Sequence, residues 1–179
     1  ASPERLVSLD DHVIRASSLA GTIRRGPTPS EDSANVRTLQ ESEKDLAEHA
    51  VVTSALRKAL AEQCDDIEAP DEPELLTLPH VHHLHTPFRA RLRAGASILS
   101  LAGRLHPTPA VGGTPRAAAL RFIEDHEMLD RGWYASPVGW VGRDSGEFAV
   151  AIRSALSEDR RASRAAGGGI VARSYPAQE

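Results

Sequence analysis

Val51, Val52, Ala55, Leu56, Ala59 and Leu60 recur every three or four residues, the spacing that lines one face of an α-helix. Such a stripe is stable only against a second apolar surface, so the helix that carries it must lie on something. Ser30 or Ser33 offers a polar cap, and the helical pattern runs on to about Gln63. Pro27 and Pro29 keep residues 20–29 in a Gly/Arg/Pro loop. The material around this helix reads as strands. Residues 6–19 suit two strands about an Asp10-Asp11 turn, and residues 75–92 suit an extended segment. Residues 133–141 and 147–157 suit a hairpin around Arg143-Asp144-Ser145-Gly146, with a last strand over about 164–172. Between them lie an acidic, proline-containing linker (65–74) and a short helix or buried segment (96–105). Thr114-Pro115 then starts a helix whose apolar face is Ala118, Ala119, Phe122, Ile123 and Leu129, stopped by Gly132. Hairpins mixed with long helices predict an α+β fold, an antiparallel-rich sheet core flanked by helices, over a doubly wound parallel one.

Length and charge narrow the function classes. The 179 residues suit a single domain with a sizeable core. A net charge of -4 gives no general pull toward nucleic acid or acidic membranes. No apolar run is long enough for a membrane helix, and the start lacks a signal peptide's basic and apolar regions. The lone Cys64 cannot form an internal disulfide, which suits a reducing, cytoplasmic setting.

Several residues invite a chemical reading. Glu48 falls on the apolar stripe when it is followed back by helical steps; it is either a snorkelling side chain, a partner for Lys44, or a carboxylate aimed at a ligand. As a strand, residues 148–153 would point Ala149, Ala151 and Arg153 to one face. Arg153 would then be a surface arginine or, above a floor of alanines, a planar fork for a carboxylate. Gly167, Gly168 and Gly169 make either a flexible turn or a loop whose amides approach an anion. His80, His82, His83 and His85 are closely spaced, but on a strand the first two face away from the last two, which argues against a zinc centre.

The phrases that join these residues are more specific. They are Ser2-Pro3-Glu4-Arg5-Leu6, Leu19-Ala20-Gly21-Thr22, Ser42-Glu43-Lys44-Asp45 with Glu48-His49, and His106-Pro107-Thr108-Pro109-Ala110-Val111-Gly112-Gly113. Gly132-Trp133-Tyr134-Ala135, Ile152-Arg153-Ser154-Ala155, and Gly168-Gly169-Ile170-Val171 with Ser174, Pro176 and Glu179 complete the set. Together they resemble the chorismate-binding enzymes and, within those, the isochorismate synthases. Gly168 stands where that family usually has alanine.

The resemblance implies magnesium-dependent (Mg2+) isomerisation of chorismate, with water adding at C2 and the C4 hydroxyl leaving. It implies Glu4 as the acid that protonates the leaving hydroxyl, and Glu48 and Glu179 as magnesium ligands. It puts Gly21, Thr22, His83, Ala110, Tyr134, Arg153, Gly168 and Gly169 against the substrate. Measured against the family pattern, residues 1–179 correspond to the carboxyl-terminal larger part of one chorismate-binding domain. Upstream strands, the lysine that activates the attacking water, and a downstream helix are expected on another segment. The chain is therefore expected to be a piece or half of a split enzyme and to need an amino-terminal segment as partner. A salicylate synthase-type relative that goes on to lose pyruvate, an amine-transferring relative, and a non-catalytic chorismate-binding remnant are the competing expectations.

Overall fold

The computed structural model describes residues 4–168. Its fold is α+β. Strands β1 (Glu4–Asp10) and β2 (Val13–Arg24) form a hairpin whose two loop residues, Asp11 and His12, both take positive φ (44° and 67°). That twist suits a two-residue turn, and Asp and His tolerate it better than most residues. The hairpin closes on the Asp10↔Val13 pair, and β2 runs on through residues 20–24, so the loop expected over 20–29 is confined to residues 25–28.

Helix α1 (Pro29–Glu41) begins earlier than expected. Thr28, not Ser30 or Ser33, is the cap and accepts from the Glu31 amide, while Pro29 occupies the first helical turn, where proline costs nothing. The single predicted helix is in fact two. Ser42 leaves helical geometry, ends α1, and accepts from the Asp45 amide to cap α2 (Glu43–Gln63).

The acidic linker is also a correction: β3 (Cys64–Glu68) is an edge strand. Its acids meet arginines across the ladder, Asp65 with Arg93 at 2.8 Å and Asp66 with Arg91 at 2.9 Å. Arg91 belongs to β5 (Val81–Leu92) and Arg93 follows directly after it; β5 also pairs with β4 (Glu74–Thr77). Helices α3 (Ile98–Leu105), α4 (Pro109–Gly112) and α5 (Arg116–His126) follow, then β6 (Pro137–Val141) and β7 (Ser145–Val150). The seven strands make one antiparallel sheet in the order β3-β5-β2-β1-β7-β6, with β4 beside β5. A separate hairpin pairs β8 (Ala155–Glu158) with β9 (Arg161–Arg164). The expected last strand over about 164–172 is a correction where it is described: β9 ends at Arg164 and residues 165–168 are not strand, while the stretch from 169 lies outside the described residues.

One face of the sheet is covered by α2 and α3. Along β5 every second residue from His82 to Leu92 is buried, and Leu60 and Leu101 from the helices are fully enclosed against Ile14, Phe88 and Val150. Burying one such leucine is worth about 1.5–3 kcal/mol. Helix α5 departs from expectation, because none of its residues is buried and Phe122 is 63% exposed, stacked on His126. Pro115 is its cap without a side-chain bond from Thr114, and it stops at His126 rather than Gly132. Among the described residues no helix is long and apolar enough to cross a membrane.

Candidate active site

Burial alternates along β5, so its histidines part company. His82 is buried under α1, where Nε2 lies 2.9 Å from Asp32 and Nδ1 2.9 Å from Thr77 Oγ1. Asp32 is further held by the Arg25 guanidinium and the Gly26 amide; Arg25 first, then the His82 contact and the Gly26 amide, push its carboxyl far below the usual carboxylate range. His83 emerges on the other face and meets Thr22 Oγ1 at 2.8 Å through Nδ1. No group of three or more His, Cys, Asp or Glu residues is close enough to share a metal among the described residues.

Thr22 is brought to His83 by a bulge. The β2–β5 register shifts between Ala20 and Thr22, and Gly21 between them has φ +76°. Gly21 also lets α2 come close: a Cβ there would sit 3.0 Å from Asp45 Cβ and 3.1 Å from Leu84. One turn beyond Asp45, Glu48 is half-buried at the same edge of the sheet.

Arg153 is not on a strand. Strand β7 ends at Val150, the Ile152 amide turns back to the Val150 carbonyl (2.8 Å), and Arg153 takes φ 51°. Across this corner the amide of Ala135 (φ 61°) donates to the Ala151 carbonyl while the Ala151 amide donates to the Ser136 carbonyl. Residues that leave ordinary strand geometry at φ > 0 without being glycine carry strain of order 1–3 kcal/mol. Here the corner turns Arg153 out of the sheet and presents Tyr134 beside it.

These pieces line one open cavity of about 780 Å³. Glu4, Gly21, Thr22, Glu48, His83, Ala110, Tyr134, Arg153 and Gly168 all stand on its wall, nine of the residues picked out by sequence. The other two, Gly169 and Glu179, lie outside the described residues. Gly167 passes so close to Tyr134 that a Cβ would come within 2.8 Å of its hydroxyl.

Electrostatics distinguish the members. Burial raises the Glu4 carboxyl above its ordinary value, and the Arg153 cation pulls it part of the way back. Burial lowers His83, with Arg153 adding to the effect, so its neutral form is favoured. His49, beside Glu48 but turned into the core, is lowered chiefly by burial.

Two cavity residues escaped the sequence reading. Glu127 and Arg131 form a close forked pair, Nη2 to Oε2 at 2.6 Å, and Arg131 Nη1 donates to the Val111 carbonyl at 3.0 Å. The guanidinium also lies 6.0 Å from the Tyr134 ring centre. Their four-residue spacing was the available signal.

The fold agrees with what comparison with known proteins finds. A family model described as chorismate binding enzyme matches residues 1–179. The chain is 49% identical to the salicylate biosynthesis isochorismate synthase of Pseudomonas aeruginosa, aligned over 100% of this chain and 38% of that protein. It is 45% identical to the isochorismate synthase MenF of Bacillus subtilis, again over 100% and 38%. In structure it is similar to the putative 2,3-dihydroxybenzoate-specific isochorismate synthase DhbC from Bacillus anthracis (TM-score 0.84, 35% identity, 100% of this chain and 48% of that one). The chain belongs to the chorismate-binding enzyme family. It spans less than half the length of each of these three relatives.

Proposed function

We propose that this chain carries the substrate cavity of an isochorismate synthase, a magnesium-dependent isomerase acting on chorismate. One observation carries the reading: residues scattered from Glu4 to Gly168 line a single cavity of a size that suits a small metabolite. Chorismate is a dianion with two carboxylates, and the cavity offers Arg153 and the hydroxyl of Tyr134 to one of them. Arginine presents a planar fork matched to a carboxylate. The Gly168 backbone, with Gly169 beyond the described residues, would complete that end. Gly21, Thr22, His83 and Ala110 line the remainder of the wall and would orient the ring.

Water enters at C2 and the C4 hydroxyl departs as water once protonated, so the net change is an isomerisation. Glu4 is the proposed donor of that proton. Its burial raises the carboxyl above its ordinary value and so favours the protonated form that a proton donor needs, with Arg153 opposing part of that effect. The proton lost by the entering water goes to a base that this reading assigns to no described residue.

Magnesium fits the donor chemistry, because Glu48 offers a hard carboxylate oxygen on the cavity wall and this ion takes few protein ligands while keeping several waters. Glu48 would hold it, with Glu179 as the second carboxylate outside the described residues. When bound, it supplies charge neutralisation for the ring carboxylate as the transition state forms.

The test is chromatographic identification of products after incubation with chorismate and magnesium. Isochorismate alone supports the reading. Salicylate with pyruvate moves the chain to the salicylate synthase class. Chorismate binding by calorimetry without turnover makes it a binding segment that needs the rest of its enzyme, and absence of binding refutes the reading.

A further inference from the structure

Helix α2 meets the sheet beside the cavity through two side chains one turn apart. Asp45 abuts the Gly21 bulge, and His49 is buried at 3% exposure. The His49 ring spans two strands: Nδ1 donates to the Ala20 carbonyl on β2 (3.3 Å), and Nε2 lies 2.8 Å from Thr86 Oγ1 on β5. A carbonyl can only accept, so Nδ1 carries a hydrogen. An imidazole in this place gives up the cheaper packing of an apolar residue, and its two hydrogen bonds are what offset that cost.

The position of those bonds matters. Ala20 is the last residue before the register shift, and at a bulge the ladder is locally broken, so the strand there has fewer backbone bonds to hold it. Beyond the bulge, Thr22 engages His83. On the helix side, the chain neighbour of His49 is Glu48, on the cavity wall. One buried ring thus ties the bulge to the helix that bears the carboxylate.

We propose that His49 is a positioning residue whose imidazole locks the Gly21–Thr22 bulge to α2 and so sets the bulge relative to Glu48. Its consequence for ligand binding rests on the chorismate and magnesium reading of the cavity; the locking of the bulge does not.

Two variants separate this role from simple core packing. In His49→Asn the amide nitrogen falls near the place of Nδ1 and can keep the Ala20 bond. In His49→Gln the longer side chain reaches toward the place of Nε2 and keeps only the Thr86 contact. Both lose the ring and should melt at similar temperatures. Without ligand, hydrogen exchange over residues 19–24 should accelerate about tenfold or more in His49→Gln and stay near wild type in His49→Asn, with residues 13–18 unchanged in both. In calorimetry with chorismate present, half-saturation by magnesium should rise about tenfold in His49→Gln and far less in His49→Asn, the scale expected when a residue supporting a metal ligand is lost.

Equal exchange in the two variants, tracking melting temperature alone, would overturn the proposal. Separated exchange with equal magnesium half-saturation would overturn its coupling to Glu48. If exchange separates while the wild-type chain shows no chorismate-dependent magnesium binding, the locking role stands and the chorismate reading of the cavity fails.

Discussion

Replacing Gly21 by alanine tests whether the bulge is built around a missing side chain. Two costs apply. A left-handed backbone costs a non-glycine residue about 1–2 kcal/mol, and Gly21 sits at φ +76°. The added methyl would also meet Asp45 Cβ at 3.0 Å and Leu84 Cδ1 at 3.1 Å. Neither can swing away, because the first is fixed to the α2 backbone and the second belongs to a fully buried side chain. Overpacking of that kind adds about 1–3 kcal/mol, for a total of about 2–5 kcal/mol. Gly95 supplies the control: its φ is +84°, yet nothing lies within 4 Å of its virtual Cβ. Gly95→Ala should therefore cost only the backbone part, about 1–2 kcal/mol. At about 2–4 °C per kcal/mol for a chain of this size, the two variants should differ by several degrees in a circular dichroism melt. Chorismate affinity should fall in Gly21→Ala, since α2 must move with the bulge, and hold in Gly95→Ala. Equal melting temperatures for the two variants would show that the close approach of α2 to the bulge is not a real constraint.

Glu4→Gln should lower turnover by about 100-fold or more and change the pH dependence of stability. Because burial raises the Glu4 carboxyl, the folded chain keeps a proton that the unfolded chain has released, so this group's contribution to stability is full below the ordinary Glu value and is lost as pH rises through the raised one. The Gln variant should lack that loss, and a wild-type-minus-variant difference that is flat with pH refutes the assignment. Arg153→Lys keeps the charge but loses the fork, so KM for chorismate should rise about 10-fold or more; an unchanged KM argues against a carboxylate contact. Arg153→Met should raise the Glu4 carboxyl further, since Arg153 is what lowers it, and should shift the basic limb of the pH–rate profile upward. Glu48→Ala should abolish the magnesium dependence of chorismate binding in calorimetry, and unchanged turnover in that variant would remove Glu48 from the metal site.

The parts of this molecule legible in the sequence are those fixed by local periodicity and by ordered phrases. The stripe on α2, the first hairpin and the α+β class follow from spacing, because side-chain direction repeats with a known period. The errors share one cause, the reading of a residue's usual preference without its partner. Pro29 by preference alone breaks a helix, whereas the first turn accepts it. The acids at 65–68 suggest an acidic linker because their arginine partner Arg91 lies 25 residues from Asp66 on β5. Ser42 reads as interior helix until its hydroxyl is seen capping the next one. The α5 stripe has the right period, yet only Ala119 and Ile123 of it are half-buried and none is enclosed, and period alone cannot reveal that.

Arg153 shows most clearly why the site was easier to read than its geometry. As a strand residue it would point from the sheet face with Ala149 and Ala151, and its reach into the cavity would depend on the pleat. The chain instead stops β7 at Val150 and turns left-handed at Arg153, just after Ala151 has bonded across to Ala135, itself left-handed, and to Ser136. Neither conformation has a sequence signature here, since both positions are occupied by residues that avoid φ > 0. The corner persists because the Ala135–Ala151 and Ala151–Ser136 bonds and the burial of Ala135 over-determine it. The same corner holds Arg153 close enough to Glu4 to oppose the effect of burial on that carboxyl. A relaxed strand at this place would therefore change two things at once, the proposed anion contact and the proton affinity of the proposed acid.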